Sequence, residues 1–402
     1  MKEKVLGIVA EYNPFHNGHL YHIGKALEIT GASDVVVSLS SNFVQRGEPS
    51  MVDKWERAKM ALLQGANLIL ELPSAFSCHN AGVFCSAGVD LLASTGLVTH
   101  ISFGMEETSF HSLKSVIDIL IEEPPSFKKK LRQYLNCGNS FVEARSLAME
   151  DMIPGSGELL SQSNNILAIG YMMRIAQKGY ALTPLPVKRI GRRYLDEALS
   201  DLASATAIRK AVKSKGLDGI IAQVPESTFS ILKSAFERGR CAVEDDLLFR
   251  MIVSSCLRSS KDEISHTAEI REGIENRIIE AAKRSSNLEE LVEKVATKRY
   301  PKARVQRHLI HILLSYDHWT NVAVQRLSVP YIRVLGFDDR GRHLLKKMKD
   351  RAKLPVIDKP RHIPSAYGET ITNFEYRATE IWEMLCTFPQ RRREIVQKPV
   401  II

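Results

Sequence analysis

The first hundred residues alternate between short apolar runs and amphipathic stretches. Residues 5–10, 34–40, 67–72 and 100–103 are apolar runs of strand length bounded by turn residues, and they read as buried strands. Between them, residues 19–28, 53–63 and 81–94 repeat their apolar positions with helical spacing. This alternation predicts a parallel sheet covered on both faces. Residues 108–180 are mostly helical in pattern, with one helix opening at Ser163-Asn164-Asn165. Residues 181–190 read as a further strand, placed at a sheet edge because Pro184 and Pro186 lack the N–H that a central strand needs. Another helix begins at Ser204. From residue 216 onward the pattern is helical, with amphipathic segments at 229–236, 245–257, 274–282, 288–296 and 305–314 and no clear strand alternation. The predicted architecture is an α/β doubly wound parallel sheet over residues 1–215, followed by a mainly α-helical domain over residues 216–402.

Composition narrows the class. The chain has 402 residues and a formal net charge of +9, which favours a polyanionic partner. The apolar run after Met1–Lys4 is too short for a signal peptide, and no stretch approaches membrane-spanning length. The six cysteines are scattered without paired metal-ligand spacing, so reduced thiols in a cytoplasmic protein are expected. Cys78, His79 and Cys85 are a weaker metal alternative.

The first strand runs into Glu11-Tyr12-Asn13-Pro14-Phe15-His16-Asn17-Gly18-His19. Pro14 ends the strand and a helix follows, so His16 and His19 lie where a strand meets a helix N-terminus. Free backbone N–H groups and the positive end of the helix dipole suit an anion there. Two imidazoles three positions apart share one helix face and can donate to phosphate oxygens in a transition state. Gly18 between them is expected to let a ligand approach the backbone. Ser204-Ala205-Thr206-Ala207-Ile208-Arg209 offers hydroxyls, a helix start and a guanidinium, all able to hold departing phosphates.

The first of these motifs resembles the His-x-Gly-His signature of the nucleotidyltransferase superfamily, and the second resembles its Ser/Thr-rich helix start. The run Ile8-Val9-Ala10-Glu11-Tyr12-Asn13-Pro14-Phe15-His16-Asn17-Gly18-His19 is similar to the opening of the bacterial tRNA(Met) cytidine acetate ligase family. Further agreement lies in Ser41–Pro49, Phe103-Gly104-Met105-Glu106, Ser163–Leu167 and Lys188-Arg189-Ile190, and less specifically around 298–300 and 308–314. The resemblance implies an ATP-dependent, AMP-forming enzyme that makes acetyl-adenylate from acetate and acetylates N4 of the wobble cytidine of elongator tRNA(Met). It implies ATP, with Mg2+, bound by residues 8–21, including Leu20 and Tyr21, and by Gly104, Asn165, Arg189, Ile190, Ser204 and Thr206. His16, His19 and Arg209 are the expected catalytic residues; no metal site and no use of acetyl-CoA are expected.

Several residues keep two readings. Asn165 either reads the adenosine or caps a helix, and Gly104 either admits the nucleotide or ends a strand. Arg46 and Lys54 are phosphate or tRNA contacts, or a solvated face. Glu106 and Glu107 either orient a metal or do not. The basic cluster at 298–307, with Lys298, Arg299 and Arg304 as tRNA contacts, and a second at 346–351 are tRNA-binding or merely solvated. Two rival functions share the first motif: a small-molecule nucleotidyltransferase and a non-catalytic RNA-binding protein.

Overall fold

The computed structural model describes residues 3–106, 110–189, 203–359, 363 and 365–402. Among the described residues ten strands form, in chain order, β1 (Val5–Ala10), β2 (Asp34–Ser40), β3 (Phe43–Val44), β4 (Glu48–Pro49), β5 (Leu68–Leu72), β6 (His100–Met105), β7 (Thr183–Lys188), β8 (Ile332–Phe337), β9 (Val356–Ile357) and β10 (Val400–Ile401). The main sheet has the order β10-β8-β5-β2-β1-β6-β7, with β9 also paired to β8, while β3 and β4 form a separate hairpin. From β5 to β7 every pairing is parallel, and β7 is indeed an edge. The chain winds outward from β1 to β2 and β5, then crosses back to β6 on the other side of β1. That reversal opens a crevice beyond the carboxyl ends of β1 and β6.

Alternation along the strands feeds two cores. Leu6, Ile8, Val35, Val37, Leu39 and Ile69 point into one, with the helices Asn17–Thr30, Lys54–Leu62 and Ala205–Lys215. Val5, Val36, Leu68, Leu70 and Leu72 point into the other, with the helices Ala81–Ser94 and Ser163–Lys178. This is the side-chain period of two in a sheet covered on both faces.

The second half is helical as expected, with helices at Glu226–Glu237, Asp245–Arg258, Ile274–Arg284, Leu288–Val295 and Lys302–Leu313. It also contributes strands that the sequence pattern does not announce. β8 pairs antiparallel with β5, and β10 pairs with β8, so the main sheet is mixed and takes strands from both sides of residue 215. The physical reason for the missed β8 is Arg333, a charge at its second residue that interrupts the apolar run yet is only 1% exposed.

Arg333 is buried because a charge cluster receives it. Its Nη1 lies 3.0 Å from Glu71 Oε2 and also pairs with Glu394. Lys54 Nζ contacts Glu71 and Glu394 and lies 3.0 Å from Glu375 Oε1. Three carboxylates thus meet two cations. Burial raises the Glu375 pKa, with Lys54 opposing that rise. Burial also raises Glu394, but Arg333 and Lys54 outweigh it and hold that group down at about 2. Lys54→Met would leave the carboxylates short of a counter-charge, which costs about 3–5 kcal/mol for a broken buried pair. Urea unfolding is expected to show a loss of that size; a loss below about 1 kcal/mol, the range of a surface pair, would contradict this account.

Candidate active site

The His16–His19 turn is built from local hydrogen bonds. His16 is the N-cap of the helix Asn17–Thr30. Its Nδ1 accepts from the Gly18 N–H at 3.1 Å, and His19 Nδ1 accepts from the His16 N–H at 3.2 Å. Two histidines therefore form the reciprocal capping box usually made by Ser and Glu. The rings stack with centroids 3.7 Å apart, and Tyr12 and Phe15 support His19 at 4.8 and 5.4 Å.

The caps fix the protons. A neutral ring whose Nδ1 accepts must carry its hydrogen on Nε2. Burial, with Arg189 and Arg209 nearby, pushes His16 down to about 3. Burial, then His16 and Arg189, lowers His19 well below the ordinary value. Both rings are accordingly neutral Nε2–H donors at pH 7, acting through dipoles rather than positive charge. Gly18 also has another role than the expected one: a Cβ there would stand 2.9 Å from His16 Cε1, so the missing side chain makes room for the capping ring.

A cavity of about 2100 Å3 opens over this turn. Residues 8–13, His16, Gly18, His19 and Tyr21 line it, and so do Gly104, Arg189, Ser204, Thr206 and Arg209. Pro14, Phe15, Asn17, Leu20, Asn165 and Lys298 are not on its wall. Phe15 is core, and Asn17 Nδ2 donates to the Ala222 carbonyl at 2.8 Å. Asn165 is fully buried, and its Oδ1 accepts from the Glu106 N–H at 3.1 Å, so it shapes the end of β6. Gly104 lies within β6 rather than ending it, and its bare Cα accommodates the Arg189 stem 3.1 Å from where a Cβ would be. Arg189 Nη1 donates to Asn164 Oδ1 at 3.0 Å, and Asn164 Nδ2 donates to Glu106 Oε1 at 2.7 Å.

The helix Ala205–Lys215 points its N-terminus at the cavity, with Ser204 Oγ capping the Ala207 N–H at 3.3 Å. Arg209 donates from Nη1 to the Asn13 carbonyl at 2.8 Å and pairs with Glu48, which places it beside the His turn. Two contributors escape sequence reasoning. His22 continues the spacing of three and bonds Ser102 Oγ at 2.8 Å. Buried Arg57 donates to the carbonyls of Glu11 at 2.6 Å, Ser40 at 2.9 Å and Ser41 at 2.6 Å, tying the ends of β1 and β2 together.

Other expectations separate. Arg46 lines the cavity, whereas Lys54 belongs to the buried cluster and is not on this cavity's wall. Arg299 and Arg304 line the same cavity as the His turn; Lys298 lies outside it, 3.9 Å from Glu143. Tyr300 is buried beneath Arg304, 4.4 Å from its ring centre, so it is no open stacking platform. The 346–351 cluster is elsewhere, with Lys347 paired to Glu3 at 2.6 Å. His79 is bonded to Asn321 at 2.7 Å, and Cys78 and Cys85 are buried free thiols, which leaves the metal alternative unsupported. Ile190 and Glu107 lie outside the described residues.

The family profile described as HIGH Nucleotidyl Transferase matches residues 3–397. A Thermoanaerobacter sp. (strain X514) protein named tRNA(Met) cytidine acetate ligase is 40% identical over 374 residues, covering 92% of this chain and 91% of that one. The chain belongs to the tRNA(Met) cytidine acetate ligase family. A relative of the same name in Caldicellulosiruptor saccharolyticus is 41% identical over 385 residues, covering 94% and 93% of the two chains. The crystal structure of Thermotoga maritima TmcAL bound with alpha-thio ATP matches with a TM-score of 0.91 at 30% identity over 99% of each chain. The α/β fold and the helical second half are those of this family, and this chain is an enzyme of it.

Two glycines of one helix test the capping geometry. Gly18→Ala must displace the His16 ring, whereas a Cβ at Gly24 would meet nothing within 4 Å. Gly18→Ala is expected to lower ATP-dependent pyrophosphate release about tenfold or more, equivalent to about 1.4 kcal/mol. Gly24→Ala should leave it unchanged and stabilise the helix by up to about 1 kcal/mol. Equal behaviour of the two variants would contradict the assignment.

Proposed function

We propose that this chain activates acetate with ATP as acetyl-adenylate, releasing pyrophosphate, and then acetylates N4 of the wobble cytidine of elongator tRNA(Met), releasing AMP. The observation that carries this reading is a single cavity lined both by the His turn and a phosphate-suited helix start and by Arg299, Arg304 and Arg307 from the second half. Its volume of about 2100 Å3 exceeds the roughly 300–1,000 Å3 of a site for one small molecule. A small-molecule nucleotidyltransferase would leave those arginines without a task.

The residue roles follow from chemistry. An acetate oxygen attacks the α-phosphorus of ATP while the bond to the bridging oxygen breaks and pyrophosphate departs. The Nε2–H groups of His16 and His19 donate to the phosphoryl oxygens as charge builds on them. Arg209 and the N–H groups at Ser204–Thr206 hold the departing phosphates. Gly104, Arg189 and residues 8–13 shape the nucleotide end, with Asn165 acting through the Glu106 backbone. The cytidine N4 then attacks the acetyl carbon, AMP leaves, and the nitrogen gives up one proton. This step rests on holding an already activated acyl group against the amine.

Mg2+ is expected to arrive with ATP. Among the described residues, the carboxylates grouped closely enough to hold a metal are Glu71, Glu375 and Glu394, and Lys54 and Arg333 already neutralise them. The helical residues beyond 215 would bind tRNA phosphates through Arg299 and Arg304, with Lys298 at the rim. No helix among the described residues is long and apolar enough to cross a membrane, and the cytoplasm is the expected compartment.

Incubation with tRNA, ATP and isotopically labelled acetate, followed by mass spectrometry of the nucleosides, should yield labelled N4-acetylcytidine. Acetyl-CoA without ATP should yield none; product from it would overturn the reading. His19→Ala is expected to lower kcat for pyrophosphate release by about 100-fold, the loss of one transition-state donor worth roughly 3 kcal/mol. The KM for ATP should change much less. Equal loss in both would make His19 a ground-state contact only.

A further inference from the structure

Arg307 occupies an unusual position on the cavity wall. It lies on the helix Lys302–Leu313 and is only 9% exposed. Its side chain makes no hydrogen bond among the described residues, and its Nε is buried without a partner. The nearest opposite charge is Glu269, whose Oε2 stands 3.9 Å from that Nε, too far for a hydrogen bond. Glu269 is itself anchored, its Oε1 accepting from Asn80 Nδ2 at 2.8 Å, and its backbone takes the left-handed φ of 61°. A non-glycine residue held in that region is over-determined by its surroundings and often marks a working site.

The arrangement gives the guanidinium a direction. Arg307 lines the cavity and its atom nearest Glu269 is Nε, which leaves the terminal Nη groups unengaged by that carboxylate. The backbone is fixed as well. Gly47 sits so close that a Cβ there would meet the Arg307 nitrogen at 2.3 Å. Two residues earlier in that turn, the Gln45 N–H donates to Glu11 Oε1 at 2.9 Å. Arg307 is thus tied through a tight turn to the end of β1, where the His motif begins.

The charge balance decides what such a pair receives. Arg46 and Arg304, neither of them ion-paired among the described residues, bring net positive charge to the cavity, whereas Arg209 is already paired with Glu48. Arg307 with Glu269 is neutral overall yet offers two directed donors, which suits an uncharged heterocycle better than an anion. Cytosine presents acceptors at O2 and N3 on its Watson–Crick edge, and uracil replaces the N3 acceptor with an N–H. A fork of donors fits the first and clashes with the second.

We propose that Arg307, oriented by Glu269, forms the subsite that receives the unstacked wobble base and distinguishes cytosine from uracil. The inference rests on the ligase reading given above. Arg307 touches substrate, and Glu269 is a positioning residue.

The test uses the full chain and anticodon stem-loop RNAs of tRNA(Met) carrying cytidine or uridine at the wobble position. The parent should bind the cytidine RNA about tenfold or more tightly than the uridine RNA, the discrimination typical of a bidentate base contact. Arg307→Lys keeps the charge but loses the fork, so this ratio should fall close to one. A melting temperature matching the parent's shows that the variant folds, so that a lost ratio reports the contact and not the packing. A ratio that survives in Arg307→Lys, or a drop in affinity equal for both RNAs, would overturn the proposal; Arg307→Gln, which removes the charge, would in that case lower affinity for both RNAs alike and flatten the salt dependence, as a phosphate contact does. If Arg307→Lys does not fold, Glu269→Gln retains the Asn80 bond and should still narrow the ratio; an unchanged ratio would likewise overturn it. Failure of the underlying reading looks different: the parent itself would then yield neither pyrophosphate from ATP and acetate nor N4-acetylcytidine.

Discussion

The buried contact of Lys54 with Glu71, Glu375 and Glu394 is the joint on which the rest of the molecule hangs. Burying charges is expensive, and the cost is met here only because every member has a partner, including Arg333 from β8, the Thr379 hydroxyl and the Ser74 N–H. The cluster joins β5 and the helix Lys54–Leu62 of the first half to β8 and the helices Ala366–Met384 and Arg393–Val396 of the second. One residue earlier, Asp53 caps the same helix and pairs with Arg393 at 3.0 Å and Arg240 at 3.5 Å. One turn later, Arg57 reaches the carbonyls at the ends of β1 and β2. A single nine-residue helix therefore couples the seam between the two halves to the backbone of the His turn.

That rigidity matters because the site works through placement. Acetate and ATP are both anionic, so the cavity must screen their repulsion without trapping them in the ground state. On the proposed reading Arg189 and Arg46 supply the positive field, and Arg209, paired with Glu48, is held beside the His turn. The stacked imidazoles add neutral donors whose direction is set by the capping box rather than by charge. A neutral donor aimed where charge develops stabilises the transition state more than the starting anions. Donors set in advance by backbone bonds also need no reorganisation at the moment of reaction.

Local chemistry is legible in the sequence, and remote partnership is not. The strands at 5–10 and 34–40 and the helix at 81–94 have the bounds that the residue pattern predicts, because apolar period and turn residues are local signals. The spacing of His16 and His19 announces a helix start, and Ser204 announces another. Lys54 reads as readily as a surface cation because its partners lie 17, 321 and 340 residues away. β8 is hidden for the same reason, since Arg333 is buried only by carboxylates far from it in sequence. Gly18 is visible, but its reason, the ring of His16 lying across it, requires the folded turn. Arg307 and Arg57 sit in charged stretches where nothing local distinguishes a buried guanidinium from a solvated one.

If activation and transfer occur in the one cavity, as proposed, bound acetyl-adenylate meets the cytidine without first being released. A pulse–chase measurement addresses this directly. The enzyme is loaded with labelled acetate and ATP, then mixed with tRNA together with a large excess of unlabelled acetate, and label in N4-acetylcytidine is counted over the first turnover. One shared cavity predicts that the first turnover carries the label nearly undiluted, because bound acetyl-adenylate meets the base before it can exchange. Label diluted to the level of the chase would mean that the intermediate leaves between the steps, and would contradict the account.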